Sequence, residues 1–182
     1  MLGVKLEDTI LDVGGVQNTW EGTSVENQVT ILNLMPVPEE DMHITWIQGD
    51  ARDMKMIGDK SFDIVFSNSV IEHVGDFQSQ EKMAKEVRRV GKKYWEQTPY
   101  KHFPLEIHFL FPLFQYLPRP FAITVARFWP FSYAKLFHLD PVAEAKSISL
   151  LNRTEFQRLF PDATIVKEKF LGFTKSLVAV RQ

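Results

Sequence analysis

The chain has no cysteine. Disulfides, zinc–thiolate sites and thiol catalysis are therefore excluded, and the redox compartment is undetermined. No apolar run reaches the roughly 18 residues that would suggest a membrane span. The start, MLGVKLEDT, lacks the basic flank and apolar stretch of a secretory signal, so a cytoplasmic protein is expected. Neither charge dominates: 21 basic against 23 acidic residues leave a net −2, which implies no general affinity for nucleic acid. Internal repeats are also missing. Against these absences stand 182 residues, enough for one domain with a real core. Phenylalanine is the compositional oddity: there are fifteen, and eight of them crowd between Phe103 and Phe137.

The stretch Thr9–Gly15, TILDVGG, organises the rest. Thr9–Val13 reads as a short strand running into a glycine pair, where backbone N–H groups can approach a ligand that a Cβ would repel. Asn27–Leu34 alternates and is β-branched, as a second strand should be. The connection between them is tight for a crossover, so a short helix is expected around Trp20–Glu26. Glu39-Glu40-Asp41 reads as a solvated acidic turn. His43–Gln48 is strand three, and Phe62–Ser67, nearly all apolar, reads as a central strand four. Gln78–Val90 is helical, with Met83, Ala84, Val87 and Val90 on one face and Gly91 as its stop. Lys93–Thr98 is strand five.

Residues 100–150 break the alternation. Prolines among aromatic residues make this an insertion of short helices, a lid or substrate cap folded over the carboxyl edge of the sheet. Asn152-Arg153-Thr154-Glu155 is a capping-box pattern opening a last helix, with Phe156, Leu159 and Phe160 as its buried stripe. Thr164–Phe170 and Lys175–Arg181 form a closing antiparallel hairpin around Gly172. The whole chain, 1–182, is expected to be a single α/β domain: a three-layer, Rossmann-like sandwich around a mostly parallel seven-stranded sheet with an antiparallel terminal strand.

Four stations in order, Ile10-Leu11-Asp12-Val13-Gly14, Gly49-Asp50-Ala51, Phe62–Asn68 and Glu72-His73-Val74, resemble class I S-adenosylmethionine-dependent methyltransferases. The resemblance is to the small-molecule group called type 11, and it runs from about Thr9 to Arg181. It implies S-adenosylmethionine as cofactor. Asp12 would orient the methionine end, while Gly14 and Gly15 lie against it. Asn33, followed by Leu34, holds the ribose position where the family usually has an acid; a carboxylate would take both diol protons better than an amide. Asp50 and Ala51 would meet adenine, and Ser67 and Asn68 the region of the sulfonium. The glycine loop departs from the family at Val16, Gln17 and Asn18. It does not match G-x-G-x-x-G either, which argues against a nicotinamide reductase. Only eight residues precede Thr9, so the family's N-terminal helices are expected to be absent or truncated: either the chain is truncated, or a partner subunit such as a homodimer mate covers the open sheet face, or cofactor binding is weak.

Methyl transfer is an in-line displacement in which the cofactor supplies reactivity and the protein positions and desolvates. The segment Tyr100–Pro118, which resembles one found after strand five in many type 11 members, carries His102, Glu106 and His108. His108 and His73 are the candidate catalytic groups; a structural His–Glu hydrogen bond, or a loop-fixing role for His73, is the alternative. Glu72-His73 supplies two metal-type ligands, too few for a site, and no metal is expected. The aromatic stretch 103–137 either walls an apolar acceptor pocket, packs on the sheet, or dips into a membrane surface with Arg119, Arg127 and Lys135. The leading expectation is an enzyme that methylates a small, apolar acceptor. The alternative is a methyltransferase-like domain or subunit that binds with little or no catalysis.

Overall fold

The computed structural model describes residues 2–36, 44–106, 108–132, 135 and 140–182. One seven-stranded sheet runs through it. Its strands are β1 (Ile10–Val13), β2 (Val29–Asn33), β3 (Thr45–Gln48), β4 (Phe62–Asn68), β5 (Gly91–Pro99), β8 (Thr164–Phe170) and β9 (Phe173–Arg181). Their spatial order is β3-β2-β1-β4-β5-β9-β8. The first five are parallel; β9 runs antiparallel to β5, and β8 antiparallel to β9. This is the architecture expected from the alternating pattern. His43 and Glu39-Glu40-Asp41 lie outside the described residues.

Between β1 and β2 the chain forms two 3₁₀ turns, Gln17–Thr19 and Glu26–Gln28, where a short α-helix was expected around Trp20–Glu26. Gly22, at φ 72°, breaks the run in the left-handed region. Trp20 and Val25 instead pack on the sheet, against a cluster of Ile10, Val29, Ile31, Ile44 and Ile64. The opposite face carries the main core. There α1 (Phe77–Val90) lays down Met83, Ala84, Val87 and Val90, each at most 1% exposed. Asp76 caps α1 by accepting from the Ser79 N–H at 2.9 Å. Gly91 ends the helix, but in an extended conformation (φ −95°) rather than a left-handed one. A Cβ there would meet Val65 Cγ2 at 2.6 Å, so Gly91 is small in order to let β5 pack on β4.

The segment after β5 is a cap. It contains a small ribbon, β6 (Leu105–Glu106) with β7 (Phe111–Pro112), then α2 (Arg119–Phe128) and α3 (Pro141–Ser147). Among the described residues, Phe109, Phe111, Phe114 and Trp129 pack on one another, while Tyr100 packs on the main core. Phe109, Phe114 and Ala126 are buried in a separate cluster, with the first two rings stacked at 4.0 Å. Phe121, Phe128 and Phe131 remain exposed. The capping box at Asn152 opens α4 (Arg153–Leu159), whose Phe156 and Leu159 return to the main core. Among the described residues no helix is long and apolar enough to cross a membrane.

The loop after β3 is fastened to α1 by Arg89. Its guanidinium donates to the carbonyls of Met54 (2.9 Å) and Ile57 (2.8 Å) and to Asp59 and Glu86, and Glu86 accepts from the Met54 N–H at 2.7 Å. Replacing Arg89 by Ala orphans two carbonyls and a half-buried carboxylate. The expected outcome is a loss of about 2 kcal/mol in urea unfolding. A change under about 0.5 kcal/mol, the range of an ordinary surface substitution, would show that the loop does not depend on this anchor.

Candidate functional site

The order of the strands reverses between β1 and β4, and open α/β sheets place ligands at the carboxyl edge of such a point. Here β1 delivers the glycine pair. Gly14 sits at φ 76°, and a Cβ on it would meet Val70 Cγ2 at 2.6 Å. A Cβ on Gly15 would lie 1.9 Å from Asp12 Oδ2. Both glycines are thus demanded by space. Asp12 is only 1% exposed and accepts from Trp20 Nε1 at 2.6 Å. Burial pushes its carboxyl up to about 6, against the opposing pull of the Trp20 hydrogen bond.

A cavity of about 300 Å³ opens beside this loop. Of the residues expected there, Gly14, Asn33, Leu34, Asp50 and Ala51 line it. Asp12, Gly15, Ser67 and Asn68 do not. Asp12 lies under Gly15, Ser67 is fully buried, and Asn68 is exposed. Asn33 donates to the Gly15 carbonyl (3.0 Å) and accepts from the Met35 N–H (3.1 Å), so it clasps the glycine loop while lining the cavity. Asp50 is gripped by Arg52 through Nε at 2.9 and 3.0 Å and Nη2 at 2.7 Å, which holds its carboxyl below the usual carboxylate range. Arg52 and Val70 also line the cavity without having been singled out in the sequence, and His73, expected as a catalytic group, lines it too. Only Arg52 carried a signal, as a charge two residues from Asp50.

A second cavity, of about 610 Å³, lies beneath the cap. Its apolar wall includes Phe109, Phe114, Leu117, Ala122 and Ile148, and Lys101 and Arg119 add positive charge. Neither cation has an ion-pair partner among the described residues. His73 and Val74 line both cavities, so the two meet at the 3₁₀ turn Ile71–His73. Gln80 holds this turn by donating to the carbonyls of Ile71 (3.1 Å) and Ser149 (2.7 Å), and the Ser149 N–H reaches the Glu72 carbonyl at 2.8 Å.

Around the turn the polar groups are crowded and dry. Glu72 is fully buried; its Oε2 accepts from Thr98 Oγ1 at 3.0 Å, and burial pushes it up to about 7. Burial, and then the neighbouring His108, lower His73 to about 4. The His73 and His108 rings meet edge to face at 5.1 Å. His108 lines neither cavity; its Nδ1 lies 2.6 Å from Glu106 Oε1, whose other oxygen accepts from the Phe109 N–H at 2.9 Å. His102, grouped with these residues in the sequence, pairs instead with the Tyr116 hydroxyl at the exposed side of the cap. Glu96, unremarked in the sequence, is completely buried on β5 and raised well above the usual range by desolvation.

Residues 23–94 match the type 11 methyltransferase-domain family. No curated protein matches the chain in sequence. Among solved structures, an S-adenosylmethionine-dependent methyltransferase from Methanosarcina mazei shares the fold at a TM-score of 0.55 and 13% identity, covering 97% of this chain and 92% of that one. A 1,6-didemethyltoxoflavin-N1-methyltransferase from Burkholderia thailandensis, solved with 1,6-didemethyltoxoflavin and S-adenosylhomocysteine, gives 0.54 at 12%, with coverages of 95% and 69%. A Rhodobacter sphaeroides chain described as a zinc-dependent alcohol dehydrogenase gives 0.59 at 8%, with coverages of 95% and 82%. At these identities the likeness is one of fold. The seven-stranded sheet with its antiparallel strand is the class I methyltransferase fold.

Asp12 makes a pH signature. Its folded value of about 6 lies above the ordinary 3.8, so the fold disfavours the ionised form. The stability contributed by the protonated carboxyl is complete below about pH 4 and is lost as pH rises toward 6. Asp12→Asn removes that dependence. Its unfolding free energy relative to wild type is expected to rise between pH 4 and 6, by up to about 3 kcal/mol, and then to level off. Urea titrations at several pH values check this; a difference that stays flat across the window would rule out a buried, ionising Asp12.

Proposed function

We propose that this chain, which has the class I methyltransferase fold and matches the methyltransferase-domain family over residues 23–94, transfers a methyl group from S-adenosylmethionine to a small acceptor. The observation that carries the reading is the meeting of two cavities at His73, one beside the glycine loop at the carboxyl edge of the sheet and one under the cap. In the first cavity, Gly14, Asn33, Leu34, Asp50 and Ala51 would hold the cofactor, with Asp50 accepting from the adenine amino group. Bound there, S-adenosylmethionine supplies an activated methyl. The chain's own residues align the acceptor and exclude water.

The second cavity suits an apolar acceptor with an anionic end. The Phe109 and Phe114 walls supply the apolar surface, and Lys101 and Arg119 the countercharge. Exposed Phe121, Phe128 and Phe131 near Arg119 and Arg127 also suit delivery from a membrane surface. His73 stands at the junction in its neutral form, and His108, oriented by Glu106, stands behind it. A group lowered to about 4 is a weak base, so His73 serves to position the acceptor rather than to take its proton. A second reading, a domain that binds the cofactor without turnover, is favoured by one observation: Asp12 is turned to Trp20 and does not line the cavity.

Calorimetry with S-adenosylhomocysteine tests the proposal. Wild type is expected to bind, and Asp50→Ala to bind at least about tenfold more weakly, since that is the loss of about one charged hydrogen bond. No binding by a well-folded wild type, or equal binding by both, would sink the cofactor assignment. Tight binding with no methyl transfer to any apolar carboxylate or phosphate acceptor in a panel would favour the second reading.

A further inference from the structure

Glu72 and His73 lie on the turn after β4, and His108 comes from the cap between β6 and β7. The fold brings them together: one donor atom from each lies within 4.8 Å of the other two. The sequence offered two ligands here, and tertiary structure adds a third. Two imidazoles and one carboxylate form the nitrogen and oxygen set that borderline divalent ions prefer.

Two further features fit a cation. The donors are held from behind, as ligands usually are. Glu106 Oε1 meets His108 Nδ1 at 2.6 Å, so Nε2 is the atom His108 would present. Thr98 Oγ1 donates to Glu72 Oε2 at 3.0 Å. The second feature is Glu72 Oε1, which is completely buried and has no hydrogen-bond partner among the described residues. A carboxylate oxygen left unsatisfied in the interior costs stability, and a bound cation would satisfy it.

We infer that Glu72, His73 and His108 form a binding site for one divalent transition-metal ion of the zinc type, at the seam between the two cavities. Three protein ligands are the count found in zinc sites that keep one position for water or substrate. Ion binding stands independently of the methyl-transfer reading. The use of the remaining position, to hold an oxygen of the acceptor, rests on that reading.

The test is a Co²⁺ titration of chelator-stripped protein, followed by visible absorption. The expected result is a d–d band that saturates at one ion per chain and is displaced by Zn²⁺, with Zn²⁺ raising the midpoint of thermal unfolding. His108→Ala and Glu72→Gln should each weaken binding by more than about a hundredfold, and Glu106→Gln by about tenfold or more. His102→Ala, outside the cluster, should bind as wild type does. Near-UV circular dichroism checks folding; should Glu72→Gln fail it, His108→Ala carries the result. A folded wild type with no saturable band, or a His108→Ala variant that binds Co²⁺ as tightly as wild type, overturns the site and leaves the cluster as packing. S-Adenosylhomocysteine titrations on the same samples keep the two proposals apart. Co²⁺ binding without nucleoside binding removes the methyl-transfer reading alone, and the converse removes the ion site alone.

Discussion

Gln80 is the fastening on which the site depends. It sits fully buried on the core face of α1, three residues before Met83, and its amide donates to two carbonyls that belong to different parts of the fold. One is Ile71, in the turn after β4; the other is Ser149, where the cap rejoins the domain. The Ser149 N–H then reaches the Glu72 carbonyl. Backbone polar groups in a dry interior must be paired, so this exchange holds the turn and the end of the cap in one arrangement. His73 meets both cavities because that turn is held where it is.

The site is built at a cost in stability. Asp12, Glu72 and Glu96 are all buried, and desolvation raises each of them. Neither oxygen of Glu96 has a hydrogen-bond partner among the described residues. A core selected for stability alone would replace such groups by apolar side chains of the same size. Their concentration at the carboxyl ends of β1, β4 and β5 matches the edge where this class of sheet binds ligands.

Much of the frame was legible because it follows from local chemistry. The stripe of α1, the Asn152 capping box and the tight turn at Leu171-Gly172, both at positive φ, all appear where residue type and spacing require them. The first crossover was not legible: its length suggested a short helix, while Gly22 and the packing of Trp20 against Phe66 divide it into 3₁₀ turns. Gly91 was read for the wrong property. Its size matters to the β4–β5 contact, and its conformational freedom is not used.

By itself the sequence determined the order of elements, the glycine pair and the residues that stand on the strand ends. These depend on period, propensity and steric demand within a few residues. Only the tertiary structure decided which of them share a space. It put Asp12 beneath Gly15 rather than in the cavity, sent His102 to Tyr116, and brought His108 from the cap to Glu72 and His73. Such contacts join segments that no local pattern couples. They are fixed by how the cap closes on the sheet edge, and side chains meet there only once the main core and the buried hydrogen bonds of Gln80 have set that closure.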